Sequence, residues 1–348
     1  MNVLKTALIA ILVFGFLIFI HELGHYIFAR IFKVTITEFS LGMGPKLLWY
    51  DSKKTGIRYC LSAIPIGGYV AMVGEDNESD DPNAFNKKPA WQRLIITVAG
   101  ATVNIVVGVL IVVIICIASN MQGTTIKEFY DLKPEYADSS TNGTFLVGDE
   151  IVEVDGKRVH FLEELNYEIM RKGHEPVDVT VIRDGKEQTL HDVSFLVLET
   201  QGQKVGVMDF ETETMKKSFL NVVKYSALKC VLIVRMCYES IIDLITGRFS
   251  VEAVSGPVGI AESIGNAAAV GILPLLDIAA LISINLGLMN LLPIPALDGG
   301  RSLLILVEMI AKKKLPSHVE AKINAISLAV LLGLSAIIML KDIIGLFI

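Results

Sequence analysis

Charge is scarce in this sequence of 348 residues. Only 20% of the residues are Asp, Glu, Lys or Arg and 52% are hydrophobic, whereas about a quarter of the residues in soluble domains are charged. The net charge of −6 argues against nucleic acid as a partner. The four cysteines include no C-x-x-C pair, so neither a disulfide framework nor a thiolate zinc site is indicated. The composition is therefore that of a membrane protein.

Long uncharged runs predict four transmembrane helices. The first run, Thr6 to Ile20, leads into His21, and the second extends from about Leu94 to Ala118. Ile278 to Leu297 and Ile323 to Leu340 give the third and fourth. A secretory signal peptide is the alternative for the first run. No small-residue cleavage signature follows it, so we interpret it as a retained helix.

The apolar stretch from Ser218 to Ile245 is not predicted to cross the membrane. Its charged residues fall on one side of a helix at 100° per residue; they are Lys224, Lys229, Arg235, Glu239 and Asp243. This pattern favours an amphipathic helix that lies along a membrane surface or packs on a domain.

The motif His21-Glu22-Leu23-Gly24-His25 stands near the end of the first hydrophobic run. On a helix, H-E-x-x-H puts two imidazoles on one face, where they can share a zinc ion. Glu22 is then free to act as general base and acid, with zinc-bound water as the nucleophile. Ionisable residues within a membrane span are costly, which makes a functional role the default.

A zinc ion held by two histidines needs a third protein ligand. The best candidate is Asp298, which follows two helix-breaking prolines at the end of the third run. The alternative is a helix-end carboxylate paired with Arg301. With four spans, the first and third run in the same direction, so His25 and Asp298 emerge on the same side. A crossing at 218–245 would separate them.

Lysine and arginine are frequent in the loops after the first and third runs, which indicates that these loops are cytoplasmic. Both termini and the long segment 119–271 are then outside. The metal site is predicted to face the cytoplasmic half of the membrane.

The outer segment has the pattern of a small α+β module. Gly148 to Gly156 and Val177 to Lys186 alternate apolar and polar residues and contain Asp-Gly turns, and Leu162 to Met170 is predicted as a helix between them. The G-D-x-I-x-x-V-D-G pattern resembles a PDZ domain, a fold that can receive an extended peptide by strand addition. A spacer or steric plug with an empty groove is equally open.

Five motifs together resemble the site-2 proteases, which are zinc intramembrane peptidases, and specifically their bacterial RseP-type branch with one PDZ domain. The motifs are His21–Tyr26, Ile64–Val70, Phe85–Arg93, Ser255–Ile260 and Asn290–Gly300. One departure is Ala101, which stands where relatives carry proline in an A-G-P-x-x-N pattern.

The resemblance implies one Zn²⁺ ion held by the two histidines and Asp298, with Glu22 as the catalytic residue. It also implies that Asn290 and Pro293 border the substrate strand. Residues 36–75 resemble a membrane-associated β-hairpin element, which would unwind a substrate helix by pairing with it.

The expected fold is a polytopic α-helical membrane protein with four transmembrane helices, an inserted extracytoplasmic α+β PDZ-like domain and a membrane-associated β-hairpin element. The expected divisions are 1–118 with the motif helix and second span, 119–212 for the PDZ-like domain, 213–271 for the amphipathic helix and connector, and 272–348 for the second membrane half.

The expected function is cleavage within transmembrane segments of single-span proteins in a bacterial inner membrane. Anti-sigma factors and signal-peptide remnants are examples, and the resemblance implies that a site-1 protease cuts first. A catalytically idle scaffold is one alternative. A metal-ion transporter is another, although internal repeats and charged pairs on several spans are typical of transporters and neither is found here.

Overall fold

A computed structural model describes residues 3–75, 77, 79–132, 141–200, 203–248, 256–313 and 317–345. The chain divides into two compact units, called here the membrane unit and the outer unit. The membrane unit comprises Met1–Ile111 and Cys237–Ile348, and the outer unit comprises Val112–Met236. Ser255 of the fourth motif and residues 133–140 of the predicted outer module lie outside the described residues.

The helices are α1 Val3–Ile31, α2 Ala90–Ala118, α3 Leu162–Lys172, α4 Phe219–Ile245, α5 Pro257–Val270, α6 Ile272–Asn290, α7 Asp298–Ala311 and α8 Ser317–Gly345, with a 3₁₀ turn at Phe85–Lys87. In the described part of the chain, four stretches are long and apolar enough to cross a membrane: Leu4–Ile31, Ala90–Ala118, Ile272–Asn290 and Lys322–Asp342. The predicted number is confirmed, and the protein is a multi-pass membrane protein.

The predicted bounds of the third span are wrong. Helix α6 begins at Ile272, six residues before Ile278, and it includes Asp277. It ends at Asn290 rather than Leu297, because Pro293 and Pro295 cannot continue a helix. Asp298 is therefore the first residue of a new helix, α7.

The strands of the membrane unit are β1 Ile36–Asp51 and β2 Arg58–Met72, which pair with each other. The pairing is double, since Phe39 lies opposite both Tyr59 and Val70. Each long strand therefore contributes two segments to a folded sheet. Gly42 and Gly67 have φ of 80° and 77°, a left-handed conformation that glycine adopts without strain.

Small residues allow the membrane helices to approach closely. A Cβ added to Gly24 of α1 would lie 2.6 Å from the carbonyl oxygen of Ala99 in α2. Between α2 and α6, a Cβ on Gly287 would lie 2.7 Å from the carbonyl oxygen of Ala101. Such close approach of backbones is typical of helix contacts in membranes.

The N-terminus of α5 is capped from a helix far along the chain. The Gly259 N–H donates to the carboxylate of Asp342 in α8 at 3.2 Å. Gly256 has no room for a side chain, because an added Cβ would lie 2.6 Å from the same carboxylate oxygen.

The remaining strands are β3 Gln122–Phe129, β4 Glu150–Val154, β5 Lys157–Arg158, β6 Val177–Arg183, β7 Lys186–Val193, β8 Leu196–Thr200, β9 Gln203–Val207 and β10 Phe210–Thr214. The larger sheet has the order β10-β3-β4-β6-β7, with β5 on β4, and β8 pairs with β9. The predicted strands and helix of the outer module are thus present. Asp155-Gly156 and Asp184-Gly185 both have positive φ, as a tight hairpin turn requires.

Within the outer unit, α4 packs on α3 through charged side chains. Lys229 of α4 donates to Glu163 of α3 at 3.0 Å, and Tyr225 donates to the same carboxylate. Arg235 forms an ion pair with Glu168. Packing on a domain was one of the two predicted roles of this helix.

Candidate active site

The motif residues lie on α1 as the spacing predicts. His21 and His25 are one turn apart, and their Nε2 atoms are separated by 3.3 Å. Glu22, between them in sequence, is buried. Helix α1 alone therefore brings three of the predicted site residues close together.

Asp298 joins the two histidines from the first turn of α7. Its Oδ2 lies 3.2 Å from His21 Nε2 and 3.3 Å from His25 Nε2. The three atoms form a nearly equilateral triangle, and these residues are a group that could hold a metal ion. Arg301, the alternative partner of Asp298, forms an ion pair with Glu75.

The triangle has the dimensions of a zinc site. Ligands at about 2.1 Å from a tetrahedral zinc ion are about 3.4 Å apart, close to the observed 3.2–3.3 Å. Two imidazole lone pairs and a carboxylate oxygen repel one another unless a cation or a proton lies between them. The donor set is thus suited to zinc, and three protein ligands leave a fourth position free.

The orientation of His25 is set by α2. Its Nδ1–H donates to the carbonyl oxygen of Ile96 at 2.8 Å, and both groups are buried. A hydrogen bond at Nδ1 fixes the tautomer that leaves Nε2 with a lone pair, as hydrogen-bond acceptors beside metal-binding histidines do.

A glycine of α2 faces both histidines. A Cβ on Gly100 would lie 2.9 Å from His21 Cε1 and closer still to His25 Nε2. Any side chain at this position would therefore displace both imidazoles.

A cavity of about 490 Å³ opens beside the triangle. Its lining includes the three candidate ligands, Glu22 and a segment of β2, and the full set is His21, Glu22, His25, Gly68, Tyr69, Val70, Ala71, Met72, Glu75, Thr97, Asp298 and Arg301. Asn290 and Pro293, also predicted as site residues, are not in this lining. Asn290 is the last residue of α6, and Pro293 is exposed in the turn before α7.

Sequence reasoning missed several residues of this cavity. Gly68 approaches so closely that an added Cβ would lie 2.9 Å from Glu22 Cγ. Glu75 and Arg301 pair across 226 positions of the sequence. The Ile64–Val70 motif and the resemblance of residues 36–75 to a β-hairpin element pointed to this region. Neither predicts these individual contacts.

The fold is that of a multi-pass membrane protein, in which two histidines of the first hydrophobic helix and a carboxylate form a candidate metal site. Comparison with known proteins gives the class: the model of peptidase family M50 matches residues 9–334. The chain belongs to this family, and it is a zinc metalloprotease of the site-2 type.

Similar proteins span essentially the whole chain. A protein of Clostridium acetobutylicum whose name assigns it to the zinc metalloproteases is 35% identical, over 97% of this chain and 96% of its own length. Zinc metalloprotease RasP of Geobacillus kaustophilus is 28% identical, over 98% of each chain. Regulator of sigma-W protease RasP of Bacillus subtilis is 27% identical, over 99% of each.

Proposed function

We propose that this chain hydrolyses peptide bonds within transmembrane segments of single-span membrane proteins, with His21, His25 and Asp298 as the zinc ligands and Glu22 as the catalytic acid and base. The observation that carries the proposal is the triangle of ligand atoms 3.2–3.3 Å apart. It is formed by a predicted membrane-spanning helix and the first turn of α7, the helix that follows another predicted span, which supports chemistry at membrane depth.

When bound, zinc supplies Lewis acidity, which lowers the pKa of a water molecule and polarises a peptide carbonyl. Glu22 lines the same cavity as the ligands and is buried beside Gly68. Its carboxylate takes the proton of the attacking water and then delivers it to the leaving amide nitrogen.

The substrate would bind as an extended strand. The segment Gly68–Met72 of β2 lines the cavity and pairs with β1. In the described part of the chain no other strand pairs with this segment, so its second edge can accept a substrate by strand addition. Unwinding matters because a helix shields the peptide group. Asn290 and Pro293 would border this strand from the turn after α6.

The PDZ-like outer unit would lie outside a bacterial inner membrane, with the metal site toward the cytoplasm. The chain would keep the domain bounds 1–118, 119–212, 213–271 and 272–348.

The proposed position of the outer unit outside the membrane supports a role as a size filter, which would admit substrates already shortened by a site-1 protease. The name of the Bacillus subtilis relative, a regulator of sigma-W protease, supports anti-sigma factors as one substrate class, beside signal-peptide remnants. A peptide ligand of the PDZ-like groove remains a second partner to test.

The test compares the native chain with Glu22→Gln in detergent, at equal zinc content, on a tagged single-span substrate. Cleavage by the native protein alone, at a site inside the span, is the expected result. Equal cleavage by both would remove Glu22 from the mechanism. Zinc stoichiometry is the control: about one tightly held ion favours the protease, whereas ready release favours a transporter.

The outer unit is tested by deleting residues 123–210. The size-filter proposal expects that the shortened protein cuts full-length substrates that the native chain rejects. Unchanged selectivity would contradict it.

A further inference from the structure

A carboxamide is buried in the middle of α2, inside a predicted membrane span. Asn104 is fully buried, with 0% exposure, and its Nδ2 lies 3.3 Å from Nδ1 of His21. An amide in this environment is costly unless its polar atoms are hydrogen-bonded. Its position against a candidate zinc ligand suggests what the amide is for.

The geometry of His21 determines which kind of partner it needs. Its Nε2 faces Asp298 and His25, so Nε2 must present its lone pair when the metal is held. The proton of the neutral ring is then on Nδ1, and Nδ1–H requires a hydrogen-bond acceptor.

The only acceptor in the Asn104 side chain is Oδ1. Among the residues that the structure describes, this atom has no hydrogen-bond partner although it is buried. In the structure the amide instead turns Nδ2, a donor, toward Nδ1 of His21. A half-turn of the amide plane exchanges the two atoms, which differ little in size. Oδ1 then accepts from Nδ1–H. One rotation thus gives His21 the acceptor that it needs and gives Asn104 Oδ1 a hydrogen-bond partner.

The backbone that carries Asn104 is held firmly. Ser283 of α6 donates its hydroxyl to the Asn104 carbonyl at 2.8 Å. One turn further along α2, a Cβ on Gly108 would lie 2.6 Å from Ile284 of α6. These contacts fix the backbone at Asn104, and its side-chain amide can rotate about the Cβ–Cγ bond.

The two histidines are then held in parallel ways. His25 donates from Nδ1 to a backbone carbonyl of α2, that of Ile96, and His21 would donate from Nδ1 to a side chain of the same helix. We infer that Asn104 is the positioning residue of His21 and that it presents Oδ1 to the imidazole in the zinc-loaded enzyme. The inference rests on the proposed ligand set. Unlike the Ile96 carbonyl, the Asn104 contact can be removed by substitution.

The test uses the full chain in detergent and two substitutions that keep the number of side-chain heavy atoms. Asn104→Leu removes the acceptor, whereas Asn104→Asp keeps it and creates a carboxylate–histidine–zinc arrangement. Thr102→Val, which removes an exposed hydroxyl from the same helix, is the matched control. Zinc affinity is measured by competition with a chelator, and the Co²⁺-substituted protein reports ligand geometry through its absorption spectrum.

We expect Asn104→Leu to weaken zinc binding by about 10- to 100-fold, and to alter the Co²⁺ spectrum. Asn104→Asp and Thr102→Val should stay within about threefold of the native protein, an effect of under 1 kcal/mol. Native zinc affinity in Asn104→Leu would overturn the inference. Equal weakening in the Leu and Asp variants would overturn the acceptor role.

A measurement on the unsubstituted protein covers the case in which Asn104→Leu does not fold. In ¹⁵N-histidine-labelled, zinc-loaded protein, the Nδ1 proton of His21 should exchange slowly with water. Exchange as fast as that of the exposed His191 would contradict the inference. The His21→Ala variant tests the proposed ligand set separately from the role of Asn104. If this variant retains native zinc affinity, His21 is not a zinc ligand.

Discussion

The membrane unit and the outer unit both bury charged side chains, but they satisfy them differently. In the outer unit, buried Asp149 accepts from Arg183 at 2.7 and 2.8 Å and from the Leu146 N–H at 2.9 Å. In the membrane unit, the carboxylate of Asp298 faces two imidazoles that are lone-pair donors themselves. A carboxylate whose hydrogen bonds are all donated by the protein stabilises the fold. A carboxylate that needs a cation between it and its neighbours indicates a metal-binding site.

Replacing an aspartate by asparagine in each unit, at Asp298 and at Asp149, tests this comparison directly, and the larger effect is expected at Asp298. Asp298→Asn should lower proteolysis on the order of a thousandfold or more and release zinc, because a catalytic zinc ion needs three protein ligands. The unfolding temperature of the metal-free protein should change little. Activity, bound zinc and apo-protein melting are measured together, and retention of zinc at native affinity would contradict the assignment.

A pair of glycine substitutions tests whether the site tolerates a shift of its ligands. Gly100→Ala puts a methyl group against His21 and His25 and should lower kcat/KM by about 100-fold, as displacements near 1 Å can do. Gly15→Ala in α1 is the control, since nothing lies within 4 Å of its added Cβ. The comparison fails if the two variants have the same activity.

Asp149→Asn is the counterpart in the outer unit. It leaves Arg183 without its charged partner and should lower the stability of this unit by about 1.5–3 kcal/mol, with zinc binding unchanged. Hydrogen exchange of the β4 and β6 amides reports the loss. An outer unit as well protected as the native one would show that the ion pair contributes little to its stability.

The smallest predicted effect is a pH dependence. Burial raises the pKa of the Asp149 carboxyl, but hydrogen bonds from Arg183 and Leu146 outweigh burial and hold the pKa below its usual range. Since the folded pKa is the lower one, this contribution is complete above the unfolded pKa of about 3.9 and is lost as the pH falls further. Protection of β4 should therefore fall below about pH 4. Asp149→Asn should remove that part of the acid sensitivity.

Local sequence was sufficient where a feature is local. The spacing of His21 and His25 fixes their common face on any helix, and the Asp-Gly pairs of the outer unit, Asp155-Gly156 and Asp184-Gly185, each predict a turn. Asp298 required one further step, the parity of the spans, which depends only on counting uncharged runs.

Features that depend on contacts between distant segments could not be predicted in this way. The start of α6 at Ile272 was missed because Asp277 interrupts the uncharged run, although a helix can include one carboxylate. The ion pair of Glu75 with Arg301 and the approach of Asn104 to His21 exist only after four segments have packed. No periodicity encodes them.

The cap of α5 has a consequence for biogenesis. Asp342, which accepts from the Gly259 N–H, is synthesised 83 residues later. At 5–20 residues per second, the ribosome needs roughly 4 to 17 s to supply it. During that interval the N-terminus of α5 lacks its partner, so this part of the membrane unit must wait for translation of α8 before it can assume its final structure.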